Sequence, residues 1–359
     1  MRKIRTAEIS PGMILAKDVF SHENILFLAQ GIELTTSHRE TLISQGVEYV
    51  HICLAEPSQE ESLRDNKINL QEKRFEKTYW EAIHRIESVI KQLIYQQRLV
   101  EAELRDAAQN LFPLISADSN VLYLLKKAKQ QSDSIFTHLI GVGVFSMLLG
   151  KWLNYNESSL VEVGLAGIIH DIGKCYVPFQ ILNKQGSLSP EECRLLKKHT
   201  EYGFNLALES DIRSVAILSA ILQHHERLDG SGYPFGLRGS QINEAARVVM
   251  VADIFEAMLA NRSYRKGLTS LAVIEEIRLL TYGKLDPTIT TAFLYRIIDS
   301  LIGCRVKLSN GAIGEIFYID RHRPNQPMVK AGNQIYDLRT IHSLTIIEEF
   351  VDGDTPSIA

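Results

Sequence analysis

VGLAGIIHDIGK, residues 163–174, is an apolar run that stops on a histidine and an aspartate. Its spacing is that of a buried helix. A carboxylate at the end of such a run is costly unless a cation or a hydrogen-bond partner meets it. Outward from this segment, 3.6-type periodicity extends over most of 119–302, punctuated by turn signals at 154–156, 183–186, 229–232 and Asp286-Pro287. The pattern predicts an all-helical domain of five or more helices, so the fold class is mainly α.

The flanks read differently. Residues 1–55 mix short β-like runs at 13–15, 25–28 and 50–52 with a helical stretch near 37–45, for which Thr36 or Ser37 would be the cap. This predicts a small α/β module. Residues 66–111 contain no Gly or Pro, and Tyr79, Ile83, Ile86, Ile90, Leu93, Val100, Leu104, Ala107 and Leu111 recur at spacings of four and three, with Gln97 filling the gap. Such a stripe predicts one long helix, whose seam packs on its own domain or forms a homodimer through 79–111. After Gly303 come β-branched runs at 305–308, 313–319 and 344–348, with Asn310-Gly311 as a hairpin signal, so a small β module with a flexible tail is expected. The expected organisation is therefore 1–55, a helical connector 56–115, an all-helical domain 116–300, and a β module 301–359.

The chain has 359 residues, 45% hydrophobic and 23% charged, with net charge −4. Disorder is excluded by that balance, and no nucleic-acid polymer is expected as a partner. Cys53, Cys175, Cys193 and Cys304 are far apart, which argues against a disulfide framework or zinc ribbon and for a reducing cytoplasm. The opening MRKIRTAEIS has no signal-peptide core. The longest apolar run, 139–150, falls short of the roughly 20 residues of a membrane span and is expected as a buried helix.

Chemistry concentrates in the histidines. Of eleven, five lie between 138 and 225, namely His138, His170, His199, His224 and His225, accompanied by Asp171 and by Asp253 in VVMVADIFEAML. Imidazole and carboxylate suit divalent Fe, Mn, Zn or Co. Seven such groups exceed one four-coordinate site but fit two metals if a carboxylate bridges. Asp171 is the natural bridge, because neighbouring residues on a helix diverge by about 100°.

HHERLDGSGYP, residues 224–234, runs from a helix into a turn in which Gly230 and Gly232 permit close backbone approach and Pro234 fixes the exit. That makes a rigid loop carrying Glu226, Arg227 and Asp229 beside the candidate ligands. Arg262 and Arg265, three apart, share a helix face if the helix continues that far, with Lys266 alongside. Together with Lys174 they supply local cations for a phosphate.

The series H…HD…H…HH…D, with HDIGK at 170–174 and HHERLDGSGYP at 224–234, resembles the HD-GYP family of the HD phosphohydrolase superfamily over about 116–300. The resemblance implies a phosphodiesterase that converts cyclic di-GMP to pGpG and GMP with a water activated at a binuclear centre of iron or manganese. It implies one metal on His138, His170, Asp171 and Asp253, and a second on Asp171, His199, His224 and His225. Asp171 and Lys174 would be catalytic, and Lys174, Arg262 and Arg265 would contact phosphates. Gly232, Tyr233 and Pro234 would shape the pocket and offer a surface to diguanylate cyclase partners. Three positions depart from the family pattern. Ser134 stands where some members have a third-metal carboxylate, so two metals are expected. Glu256 replaces the usual Asp and is expected to alter a substrate contact, and Ser263 replaces a Pro. The alternatives are a cyclic-dinucleotide or partner-binding effector, and a phosphodiesterase for another cyclic dinucleotide such as 3′,3′-cGAMP.

Overall fold

The computed structural model describes residues 1–10, 12–20, 26–52, 59–96, 99–116, 121–122, 125, 134–259 and 269–350. Arg262, Ser263, Arg265, Lys266, Cys53 and the tail after 350 lie outside them. Two compact units divide the chain, Met1–Gln71 and Glu72–Ala359.

In the first unit β1 (Arg2–Arg5) pairs antiparallel with β4 (Tyr49–Ile52), and β2 (Val19–Phe20) with β3 (Leu26–Leu28). Helix α1 (Thr36–Ser44) starts one residue earlier than its sequence suggests, because Thr35, the first hydroxyl of a Thr-Thr-Ser run, accepts a hydrogen bond from the His38 N–H at 3.2 Å. Ile9, Leu15, Leu34, Leu42 and Val50 form the core of this α/β module.

The long helix expected over 66–111 is two helices. α2 (Gln59–Gln96) and α3 (Glu101–Gln109) are separated at Val100, whose backbone is extended at φ −102° and ψ 100°. The Leu99 N–H donates to Ser210 Oγ at 2.8 Å, which holds the break. No Gly or Pro marks the place. Packing decides it: the bend lets Tyr79, Ile83 and Ile86 on one side and Leu104, Ala107 and Leu111 on the other all enter the core of their own unit. The described residues of the seam thus pack on their own unit, one of the two arrangements expected for it.

Helix α4 (Phe112–Ser116) precedes α5 (Ile135–Trp152), in which 139–150 is buried throughout. By length and composition this 18-residue helix could cross a membrane, and 72% of it is buried inside the unit. It is the central core helix, longer than the apolar run alone suggested. α6 (Glu157–Ile169), α7 (Phe179–Leu182), α8 (Pro190–Lys197), α9 (His199–Glu209), α10 (Val215–Gln223), α11 (Glu244–Leu259), α12 (Ser270–Leu280) and α13 (Pro287–Ser300) complete the described helices. Phe145, Phe255 and Phe293 meet edge to face with centroids 4.8–6.1 Å apart and lock α5, α11 and α13 together. The two helices that carry His138 and Asp253 are thereby held in fixed relation.

The C-terminal strands form one antiparallel sheet in the order β8 (Gln334–Asp337), β7 (Met328–Ala331), β6 (Ile313–Tyr318), β5 (Arg305–Leu308), β9 (Ile346–Glu349). The Asn-Gly hairpin turns where expected, with Gly311 at φ +86° and the Leu308 N–H donating to Ala312 O at 2.8 Å. Val306, Leu308, Ile316 and Val329 join the same core cluster as the helices.

Because Ile86 is fully buried, Ile86→Ala should cost about 2–5 kcal/mol in urea unfolding, with the molecular mass in solution unchanged. A variant that altered the mass by light scattering at unchanged stability would return the seam to an interface between copies.

Candidate metal centre

Helix ends deliver most of the candidate ligands. His138 lies in the first turn of α5, His170 caps the C-terminus of α6, and Asp171 opens the tight turn 172–176 that follows. His199 begins α9, His224 and His225 end α10, and Asp253 projects from the middle of α11. The approach of the 172–176 turn to α9 depends on Gly173, where a Cβ would lie 1.9 Å from the His199 carbonyl oxygen and 2.4 Å from the Gly203 nitrogen. Backbone on backbone at that distance sets His199 beside Asp171.

All seven predicted ligands converge. Asp171 Oδ1 lies 3.2 Å from His199 Nε2 and 3.7 Å from His224 Nε2, while Oδ2 lies 3.3 Å from His170 Nε2 and 3.9 Å from His138 Nε2. Asp253 Oδ1 is 3.4 Å from His138 Nε2 and 3.6 Å from His170 Nε2. Donor atoms of Asp171, His199, His224 and His225 fall within 4.8 Å of one another, as do those of His138, His170 and Asp171. Asp171 alone belongs to both groups.

The outer faces of the rings are also settled. Nδ1 of His170 donates to Gly167 O at 2.7 Å, that of His199 to Leu196 O at 2.7 Å, and that of His224 to Ala220 O and Ile221 O at 3.0 Å each. A carbonyl only accepts, so Nδ1 carries a hydrogen and Nε2 is the nitrogen turned toward the carboxylates. His170 Nε2 and Asp171 Oδ1 are buried without a hydrogen-bond partner. A cation resolves that arrangement, and its nitrogen and carboxylate donors fit a divalent metal.

The charges agree. Burial opposes ionisation of Asp171, but Lys174, His170 and His199 outweigh it and hold its pKa well below the usual carboxylate range. Asp253 is likewise held low, against burial, by His170 and His138. Burial disfavours a charge on His170, yet Asp171 and Asp253 push its pKa up to about 10. Burial holds His224 and His225 below the ordinary histidine range. Two buried anions thus attract positive charge at one side of the centre, while neutral imidazoles face the other.

Lys174 donates to Asp171 Oδ2. Tyr233 stacks on His225 with centroids 4.7 Å apart and an interplanar angle of 27°, and Lys197 Nζ sits 5.0 Å above the Tyr233 ring. The 224–234 loop therefore walls one side of the centre. Glu226 holds it: the fully buried carboxylate accepts from the Phe235 N–H at 2.8 Å and the Leu237 N–H at 3.0 Å. At Gly232 a Cβ would lie 2.4 Å from Glu226 Cα, so only glycine passes there.

Two departures acquire a structural account. The Ser134 hydroxyl caps α5 by accepting from the Thr137 N–H at 3.3 Å. Glu256, expected at a substrate contact, instead is 1% exposed and accepts from His138 Nδ1. Its extra methylene brings the carboxylate up to the ring. The roles of Glu226 and Glu256, and the carbonyls behind the rings, escaped sequence reading; the only hint was that each acid stands in an apolar or ligand-bearing segment.

Residues 119–289 match the HD domain family model. The helical region is thus similar to HD domains, and it is built around a His/Asp cluster suited to divalent metal. The stretch HHERLDGSGYP lies inside the matched region, at 224–234. A cyclic di-GMP phosphodiesterase of Pseudomonas aeruginosa is 32% identical over 220 residues, covering 61% of this chain and 53% of its own. One of Thermotoga maritima is 31% identical over 210 residues, 58% of this chain and 55% of its own. A 3′3′-cGAMP-specific phosphodiesterase of Vibrio cholerae is 31% identical over 189 residues, 52% of this chain and 36% of its own. This chain matches about half the length of the first two relatives.

Gly173→Ala tests the close approach. It should cost about 1–3 kcal/mol of stability as an overpacked contact and weaken divalent-metal binding in a titration, because α9 must move away from Asp171. Unchanged stability and metal binding would contradict the placement of His199.

Proposed function

We propose that this protein is a metal-dependent phosphodiesterase that hydrolyses cyclic di-GMP to pGpG and GMP in bacterial second-messenger signalling. The observation that carries the reading is Asp171, a buried carboxylate shared by two groups of imidazoles. Two ions, iron or manganese, would be held by His138, His170, Asp171 and Asp253 and by Asp171, His199, His224 and His225. When bound, such a pair supplies Lewis acidity toward a phosphodiester and brings the pKa of water near neutrality.

The chain's own residues do the rest. Asp171 keeps the two ligand sets in one register. Lys174, which donates to Asp171, would neutralise charge developing on a phosphate. Arg262 and Arg265 would grip phosphate oxygens, and Gly232, Tyr233 and Pro234 would close the pocket and exclude water. The outer face of that loop would receive diguanylate cyclase partners, and the separated cysteines favour the cytoplasm. We divide the chain functionally into 1–55, 56–115, 116–300 and 301–359, with catalysis in the third segment. Retention of every candidate ligand and Lys174 favours turnover over a purely binding effector. The similarity to a cGAMP-specific relative supports 3′,3′-cGAMP as a second substrate reading.

Protein purified without oxygen and supplied with ferrous iron or manganese should release pGpG or GMP from cyclic di-GMP, with His170→Ala/Asp171→Ala inactive. Turnover of 3′,3′-cGAMP alone would replace the substrate, and turnover of neither would overturn the enzyme reading. Asp171→Asn should abolish turnover and sharply reduce bound metal, and retention of both would refute the bridge. Arg262→Ala with Arg265→Ala should raise KM at unchanged metal content; an unaltered KM would remove both from the phosphate site.

A pH dependence follows with a definite sign. In the metal-free protein His170 holds a proton up to about pH 10, and an ion must displace it. Apparent metal affinity should rise with pH from 6 through 8 and binding should release protons, as measured by competition titration and calorimetry in buffers of different ionisation enthalpy. Affinity independent of pH would contradict the assignment of His170.

A further inference from the structure

Four histidines of the centre are anchored through Nδ1, but not alike. His170, His199 and His224 donate to backbone carbonyls, whereas His138 Nδ1 meets the carboxylate of Glu256, a side chain from another helix. His138 is also the least buried of these rings, at 19% side-chain exposure against 0–1% for the other three. Glu256 is 1% exposed and packs against residue 141, a glycine one turn beyond His138. A Cβ at 141 would lie 2.9 Å from Glu256 Oε1 and 3.0 Å from its Cγ.

We propose that Glu256 and Gly141 form a matched pair that orients His138. Glu256 is a positioning residue: it keeps the hydrogen on Nδ1 and aims Nε2 at Asp171 and Asp253, and Gly141 makes room for the longer acid. This rests on the metal reading above and deepens it by naming what fixes the one of these four histidines whose Nδ1 meets a side chain instead of a backbone carbonyl. Aspartate at 256 is shorter by one methylene, about 1.5 Å, and stops short of the ring. Glutamine keeps an accepting oxygen at the same reach.

Manganese titration of the full chain, resolving the two ions, separates the possibilities. Glu256→Ala and Glu256→Asp should each weaken one ion about 10- to 100-fold, the usual effect of losing such an outer hydrogen bond, and leave the other within about threefold of wild type. Glu256→Gln should restore the weakened ion, a rescue that a general packing role would not give. Gly141→Ala should weaken the same ion in the wild-type background but add nothing to Glu256→Asp, because the shorter acid vacates the space. Wild-type affinity in Glu256→Ala, or additive effects of Gly141→Ala and Glu256→Asp, would overturn the pairing. A wild-type protein that bound no manganese at all would instead overturn the metal reading.

Discussion

Everything in the helical domain is arranged around a carboxylate in a place where an isolated one would not ionise. Asp171 is 5% exposed, and its oxygens are approached by four imidazole nitrogens within 4 Å and by Lys174. Burial argues for a neutral acid, and the surrounding cation and ring dipoles argue for an anion and prevail. Once Asp171 is an anion, the lone pairs aimed at it require positive charge between them. The helices exist to hold that demand in place: the Phe145–Phe255–Phe293 cluster fixes the helices carrying His138 and Asp253, and Gly173 brings the start of α9 to the HD turn.

The rim works on a different principle. The 224–234 loop contributes two candidate ligands at its first residues and then folds back over its own Glu226, whose carboxylate ties down the Phe235 and Leu237 amides. A single buried acid thus connects the geometry of His224 and His225 to that of Tyr233, which lies against His225. Two candidate ligands and the wall beside them are one covalent segment, so a change in one is felt in the other.

Much of this was legible in the sequence, for identifiable reasons. The seven candidate ligands stood out because histidines and aspartates interrupt apolar helices, where a polar group demands a partner. The Asn-Gly hairpin and the burial of 139–150 followed from local rules. What failed was long-range. The break at Val100 has no Gly or Pro, since a hydrogen bond to Ser210, more than a hundred residues away, stabilises it. Strands β7 and β8 carry too few β-branched residues to stand out and owe their order to pairing with β6 and with each other. Glu256 looked like an altered substrate contact because the family pattern has a shorter acid there; the resemblance does not tell which face of the cluster it meets, and the contact with His138 Nδ1 does.

The central claim is that Asp171 joins two metal positions. Anomalous diffraction at the manganese edge from crystals grown with manganese tests it directly. The account predicts two anomalous peaks, one oxygen of Asp171 bonded at each or one oxygen shared between them, with His138 and His170 beside the first and His199, His224 and His225 beside the second. A single peak, or two peaks of which only one contacts Asp171, would contradict it.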